Sequence, residues 1–210
     1  MKFSNILAVF AGVASAAPAN TERAEAGPSG HEVEIRGFTY GGSGCPAKSV
    51  GSQLSTDLTT LTLLYDSFIA QSGEGIKPSE HRKNCQLNVK LKYPHGWQFS
   101  VFKADYRGYA NIHPKDKGTC KATYYFSGDS KQYSSAVTFH GPYDDNYLKT
   151  DQFNLESLVW SPCGAEGMLN INNEVRLTPL DSKRANLLTV DSTDLKFKQI
   201  CYLQWRKCTK

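Results

Sequence analysis

What this 210-residue chain lacks excludes several kinds of chemistry. Its six cysteines form no C-x-x-C pair, and none of its five histidines sits at ligand spacing from another, which counts against zinc. There is no G-x-S-x-G elbow to present a serine nucleophile, so His95, His113 and His140 carry no triad signature beyond the presence of Ser and Asp elsewhere. The glycine-rich stretch Gly41 to Pro46, GGSGCP, is not followed by Gly-Lys-Ser/Thr and is not a phosphate loop. No N-x-[ST] sequon occurs, and N-glycosylation is not expected. Beyond Val13 no apolar run approaches the roughly 20 residues of a spanning helix. Internal repeats, low-complexity tracts and amphipathic-helix periodicity are absent too.

Charge of one sign is also scarce. The chain has 24 basic and 20 acidic residues. That mild surplus gives no electrostatic footprint for nucleic acid and no polybasic membrane anchor. Neither partner is expected.

The first residues read MKFSNILAVFAGVASAAPAN. Lys2, the apolar run Ile6 to Val13 and the A-x-A at Ala14-Ser15-Ala16 spell a secretory signal peptide over 1–16, with Ala19 as the alternative cleavage point. Residues 17–30 are small and polar and read as a disordered leader. The remainder, 31–210, is long enough for one domain with a sizeable core. The expected location is extracellular, and the expected state is a monomer. Cys45, Cys85, Cys120, Cys163, Cys201 and Cys208 all lie in that domain. An even count in a secreted chain reads as three disulfides.

What is present in abundance is alternation. Cys85, Leu87, Val89, Leu91 and Tyr93 are separated by polar residues, then Trp97, Phe99 and Val101 resume after Pro94 and Gly96. Side chains of a strand alternate faces, so the pattern predicts a β-hairpin turning at 93–96, with Cys85 on the buried face. Further strands are read near 31–40, 104–112, 119–127, 155–160, 168–177 and 199–208, and from β-branched or apolar runs at 58–70, where a helix is the weaker alternative, 132–140 and 186–190. Gly141 to Tyr147 reads as an acidic turn. About ten short strands with frequent turn signals predict an all-β fold, an antiparallel sandwich or jelly-roll stabilised by disulfides.

Several short motifs recur together in one order: Arg82-Lys83-Asn84-Cys85-Gln86-Leu87, Ala104-Asp105-Tyr106-Arg107-Gly108, Tyr124-Tyr125-Phe126, Ser161-Pro162-Cys163-Gly164, Asn170-Ile171-Asn172, Asp191-Ser192-Thr193-Asp194, and a closing Trp205 and Cys208. From about Gly44 to Cys208 the chain resembles a family of small secreted proteins from filamentous fungi and actinobacteria, known as a domain of unknown function. Four cysteines recur in that family, matching Cys45, Cys85, Cys163 and Cys208. Cys120 and Cys201 stand outside its pattern as an added pair. Both alternate with apolar residues and should point inward, so a Cys120–Cys201 bridge is expected. The other four allow three pairings, of which Cys45–Cys85 with Cys163–Cys208 is favoured. The leader suits a filamentous-fungal source.

Candidate binding and metal residues follow from residue type. Asp105, Tyr106, Arg107 and Tyr109, with Trp97, form the candidate binding surface. More broadly, Trp97, Trp160 and Trp205 with the tyrosines could stack sugars, although aromatics on strands more often fill cores. Asp144 and Asp145, and Asp191 and Asp194, are the candidate calcium ligands, since oxygen-rich loops suit that ion. Weakly held calcium is the only cofactor expectation, and the same side chains also make turns. No catalytic residue is assigned. Three functions stay open. The favoured one is a non-enzymatic binding or effector protein acting on a host or on wall polymers, with a protein or a glycan as partner. The others are a carboxylate-dependent polysaccharide hydrolase, which needs two carboxyls in one cleft, and a structural wall component.

Overall fold

A 31-residue strand dominates the architecture of the computed structural model, which describes residues 27–29, 32–189 and 197–208. The signal peptide, nearly all of the leader, and Asp191 and Asp194 lie outside the described residues. Eleven strands occur among those described: β1 Glu34–Gly41, β2 Val50–Leu54, β3 Thr60–Tyr65, β4 Ala70–Ser72, β5 Arg82–Ile112, β6 Lys117–Phe126, β7 Gln132–His140, β8 Tyr143–Gln152, β9 Gly164–Thr178, β10 Asn186–Thr189 and β11 Phe197–Lys207. Their ladders are antiparallel throughout.

The expected hairpin at 93–96 is not formed. A straight 31-residue strand would measure about 100 Å, several times the roughly 16 Å radius of gyration of a domain this size. The strand must therefore bend, and Tyr93–Gly96 is where it does. Pairing with β9 jumps there from Lys92↔Glu166 to Trp97↔Gly164, so Pro94 and Gly96 serve an irregularity within the strand rather than a reversal. Gly96 has φ +81°, a conformation that suits glycine. Trp97 is where partners change hands: it pairs with Gly164 at the start of β9 and with Lys207 near the end of β11.

The two halves of β5 consequently belong to different layers of a β-sandwich. Residues 86–92 lie between β1 and β9, continuing outward to β6 and β7. Residues 97–112 are flanked by β11 and β8, with β3 and β2 beyond β11, and β10 and β4 alongside the far end. The layers meet through Phe99 of β5 and Phe126 of β6, ring centroids 5.1 Å apart and edge to face. Leu87, Val89, Leu91, Tyr124, Phe126, Leu169 and Ile171 of one sheet oppose Leu61, Leu63, Phe99, Val101, Ala104 and Leu203 of the other, all fully buried or nearly so.

Two further segments differ from expectation. Gly141 to Tyr147 is mostly strand β8, held to β5 by a ten-residue register from Lys103↔Gln152 to Ile112↔Tyr143. Leu155–Ser157 is a single 3-10 turn rather than the start of a strand.

Inside the sandwich sits a polar network. Asn173 of β9 donates to the Tyr65 hydroxyl at 2.5 Å and to Gln199 Oε1 at 2.7 Å. Gln199 Nε2 donates to the Tyr124 hydroxyl at 2.6 Å, which in turn meets the Tyr106 hydroxyl at 2.7 Å. All five side chains are buried, and they come from both sheets. The alternation placed Tyr124 inside correctly, but gave no hint of the amides that meet it.

Disulfides join Cys45 to Cys85 and Cys163 to Cys208. The expected Cys120–Cys201 bridge is absent: both are buried free thiols. Each does point inward, yet each finds a tyrosine instead. Cys120 Sγ lies 3.5 Å from the Tyr147 hydroxyl, and Cys201 is hydrogen-bonded by Tyr124. Burial pushes both thiols up to about 12. It also raises Tyr65, Tyr106, Tyr124 and Tyr147 above the usual phenol range.

Three outcomes are expected. A thiol reagent at pH 8 should find essentially no reactive cysteine in the folded protein and two per chain in guanidinium. Two per chain in the folded state would contradict the burial. Alkali should destabilise the fold, because unfolded thiols and phenols ionise first. Stability is full below about pH 9 and falls toward pH 12, by about 1.4 kcal/mol per pH unit for each thiol. Melting temperatures across pH 8–11 measure this. Gln199→Leu should cost about 1–3 kcal/mol for each partner it leaves unpaired in the interior, read by urea titration.

Candidate functional site

The five candidate binding residues do not form one surface. Alternation along β5 sends Asp105, Arg107 and Tyr109 outward and Tyr106 inward, where its hydroxyl joins the interior network. Asp105 is nearly buried on the outer face and is already satisfied, accepting from Thr150 Oγ1 at 2.7 Å and the Tyr202 hydroxyl at 2.8 Å. Arg107 is exposed and borders a hollow of about 430 Å³ with Asn146 and Leu148. The Tyr109 hydroxyl donates to the Asp144 carboxylate, which raises the phenol and lowers the acid. Trp97 sits in the middle of the strand, at the bend, half-buried against the core, with the Lys207 ammonium 5.8 Å from its ring centre.

The calcium expectation also changes. Asp144 and Asp145 are consecutive residues of strand β8, so their side chains leave on opposite faces and cannot converge on one ion. Asp144 is engaged by Tyr109, and Asp145 accepts from the Asn146 backbone N–H at 2.7 Å. Among the described residues no group of three or more His, Cys, Asp or Glu is placed to hold a metal.

A more developed hollow, of about 470 Å³, lies beside the bend in the middle of β5. Four segments build it, the last being β11 at Arg206. The first is β5 itself at Gln98. The second is Leu158 to Cys163, extended and held along β5: Ser161 N–H donates to the Phe99 carbonyl at 2.8 Å, and Phe99 N–H to Ser161 Oγ at 3.0 Å. Ser100 Oγ donates to the Val159 carbonyl at 2.6 Å, and the Tyr93 hydroxyl to the Pro162 carbonyl at 2.7 Å. The third is the turn between β6 and β7, Ser127 to Lys131, where Gly128 has φ +88° and Asp129 Oδ1 accepts from the Lys131 N–H at 3.0 Å.

The side chains around the hollow are pre-set. Gln98 Nε2 donates to the Ser161 carbonyl at 3.1 Å, which fixes its amide. Gln98 Oε1 then accepts from Arg206 Nε at 2.7 Å. The Arg206 guanidinium lies 3.7 Å from the ring centre of half-buried Trp160. The Cys163–Cys208 bridge closes the arrangement, since Cys163 lines the hollow and Cys208 follows Arg206 by two residues. Of the tryptophans considered for sugar stacking, Trp205 is committed to the core. Its ring packs on Tyr93 and Phe99, and its N–H donates to the Leu58 carbonyl at 3.1 Å. Trp160 is the tryptophan that borders a cavity. Gln98 and Arg206 escaped sequence reasoning because they are 108 positions apart, and only the β5–β11 register brings them together.

The sequence profile described as "Domain of unknown function (DUF4360)" matches residues 31–208. The chain belongs to this family. An "Uncharacterized secreted protein" of Arthroderma benhamiae is 52% identical over 182 residues, covering 87% of this chain and 74% of the relative. The protein is secreted, in keeping with that relative and with its two disulfides. Among solved structures, the module TmCBM61 in complex with β-1,4-galactotriose is 10% identical, with a TM-score of 0.29 over 86% of this chain and 95% of that one. A family 11 carbohydrate-binding module from Clostridium thermocellum, in complex with a β-1,3-1,4-mixed-linked tetrasaccharide, is 10% identical, with a TM-score of 0.26 over 82% and 88%. Likeness as loose as this says nothing of what the present chain binds.

Asp144→Asn together with Asp145→Asn should leave any response of the melting temperature to millimolar calcium unchanged. A calcium-dependent shift that disappears in the double variant would place the ion at β8 after all.

Proposed function

We propose that the protein is an extracellular glycan-binding protein whose site is the hollow bordered by Trp160. One observation carries this: an indole at a cavity wall, ringed by polar groups already held in place. Small-ligand sites are concave, about 300–1,000 Å³ in size, and combine apolar or aromatic wall with a few oriented polar groups. The hollow fits that description in volume and in make-up, with Gln98, Asp129, Lys131, Ser161 and Arg206 beside Trp160. A sugar offers the complement, apolar C–H faces for an indole and hydroxyls for amide, carboxylate and guanidinium.

Binding without cleavage is the form of this function that the lining favours. Glycoside hydrolysis ordinarily uses two carboxyl groups flanking the bond, and among the described residues Asp129 is the one carboxylate that borders the hollow. Disulfides at Cys45–Cys85 and Cys163–Cys208 suit a protein working outside the cell on a host surface or wall polymers.

Trp160→Ala should weaken binding on a glycan array or in calorimetry by about 2 kcal/mol or more, the loss typical of a central aromatic anchor. Far-ultraviolet circular dichroism should stay unchanged, and no reducing sugar should be released by the wild type. A glycan bound equally well by Trp160→Ala would move the site elsewhere.

A further inference from the structure

We infer that the hollow selects an acidic sugar, with Arg206 receiving a uronate-type carboxylate; this rests on the glycan-binding function proposed above. The case begins with how Arg206 is held. A free arginine loses much rotamer freedom when it grips a ligand, which offsets part of the gain. Here the order is already present. Trp160 stacks under the guanidinium at 3.7 Å, and Nε is fixed on Gln98 Oε1 at 2.7 Å. Gln98 is fixed in turn by the Ser161 carbonyl, and Ser161 by its paired hydrogen bonds to Phe99. Two functions of the guanidinium are thus used structurally, its face and its Nε–H. The two terminal nitrogens have no protein partner among the described residues.

A planar fork with free terminal N–H groups is matched by a carboxylate, whose two oxygens accept in parallel. A neutral sugar hydroxyl would meet the same donors with charge on the donor side alone and one oxygen to offer, whereas a carboxylate brings the opposite charge and accepts two parallel bonds. The rest of the lining does not cancel this preference. Among the described residues Asp129 is the acid of the lining and Lys131 its second cation, so the pair balances and the surplus charge they leave is that of Arg206. Asp129 also has one oxygen tied to the Lys131 backbone N–H. Trp160 itself lines the hollow beside the guanidinium and offers apolar wall to the ring bearing the carboxylate.

The experiment compares charge and shape separately. The secreted protein is titrated with polygalacturonate and alginate, with the carboxyl-reduced counterpart of each, and with a neutral β-glucan. The expected result is binding of an acidic polymer about tenfold or more tighter than of its reduced counterpart, with salt weakening the acidic case only. Arg206→Lys, which keeps the charge and loses the fork, should lose about tenfold on the acidic polymer and clearly less on the reduced one, so that the ratio between the two falls. Trp160→Ala should lose on both. Equal affinity for acidic and reduced polymers, with Trp160→Ala still weakening both, would overturn the acidic preference and leave glycan binding intact. An acidic preference untouched by Arg206→Lys would overturn the role of Arg206. No binding of any polymer by the folded wild type would overturn the acidic-sugar inference. A glycan array that is then also blank would remove the glycan-binding function itself.

Discussion

One strand belonging to both sheets is the constraint on which this fold depends. Two β-sheets packed face to face are usually joined by loops, which leave their spacing to side-chain packing. Here β5 runs through the bend at Tyr93–Gly96 and supplies a central strand to each layer. The backbone fixes how the layers meet at that edge. Tyr93 and Phe99 flank the bend with rings 5.5 Å apart, edge to face, and fill the corner it creates. Among the described residues every ladder except those of β2, β3, β4 and β7 is formed directly on β5 or on its partner β9.

Away from that corner the layers are held in register by polar rather than apolar contacts. Dispersion and burial are indifferent to small slides of one sheet over another, whereas the amides of Asn173 and Gln199 and the hydroxyls of Tyr65, Tyr106 and Tyr124 accept few arrangements. The network has a cost, for Asn173 Oδ1 is buried with no partner among the described residues. Cys201 borders this network at Tyr124, and Cys120 meets Tyr147 outside it. A thiol is a weak donor and a tolerant neighbour, so it fills such a place at little expense.

The sequence made the fold class legible because alternation is a local property. Leu87, Val89 and Leu91 announce a strand and its inner face without reference to anything else. What it could not convey was connectivity. Pro94 and Gly96 are the residues of a turn and equally of a bend within a strand, and the distinction lies in the partners at Gly164 and Lys207. The same limit hid the site. Trp160 is identifiable as a candidate by type, whereas the residues from Asp105 to Tyr109 are adjacent in sequence, and adjacency on a strand places neighbours on opposite faces. Gln98 and Arg206 matter through a cross-strand register that no local pattern encodes. The expected Cys120–Cys201 bridge failed for a related reason: pointing inward is necessary for two cysteines to meet and far from sufficient.

A strand threaded through both layers has a mechanical consequence. Sandwiches whose sheets are linked by loops can part slightly, like the covers of a book, and admit a ligand between them. This one is sewn at its spine by β5 and pinned beside it by Cys163–Cys208, so separation of the layers would require breaking the strand. Recognition is therefore confined to surfaces that exist before the ligand arrives. Encounter should resemble the docking of rigid bodies, with little ordering of the protein to oppose it.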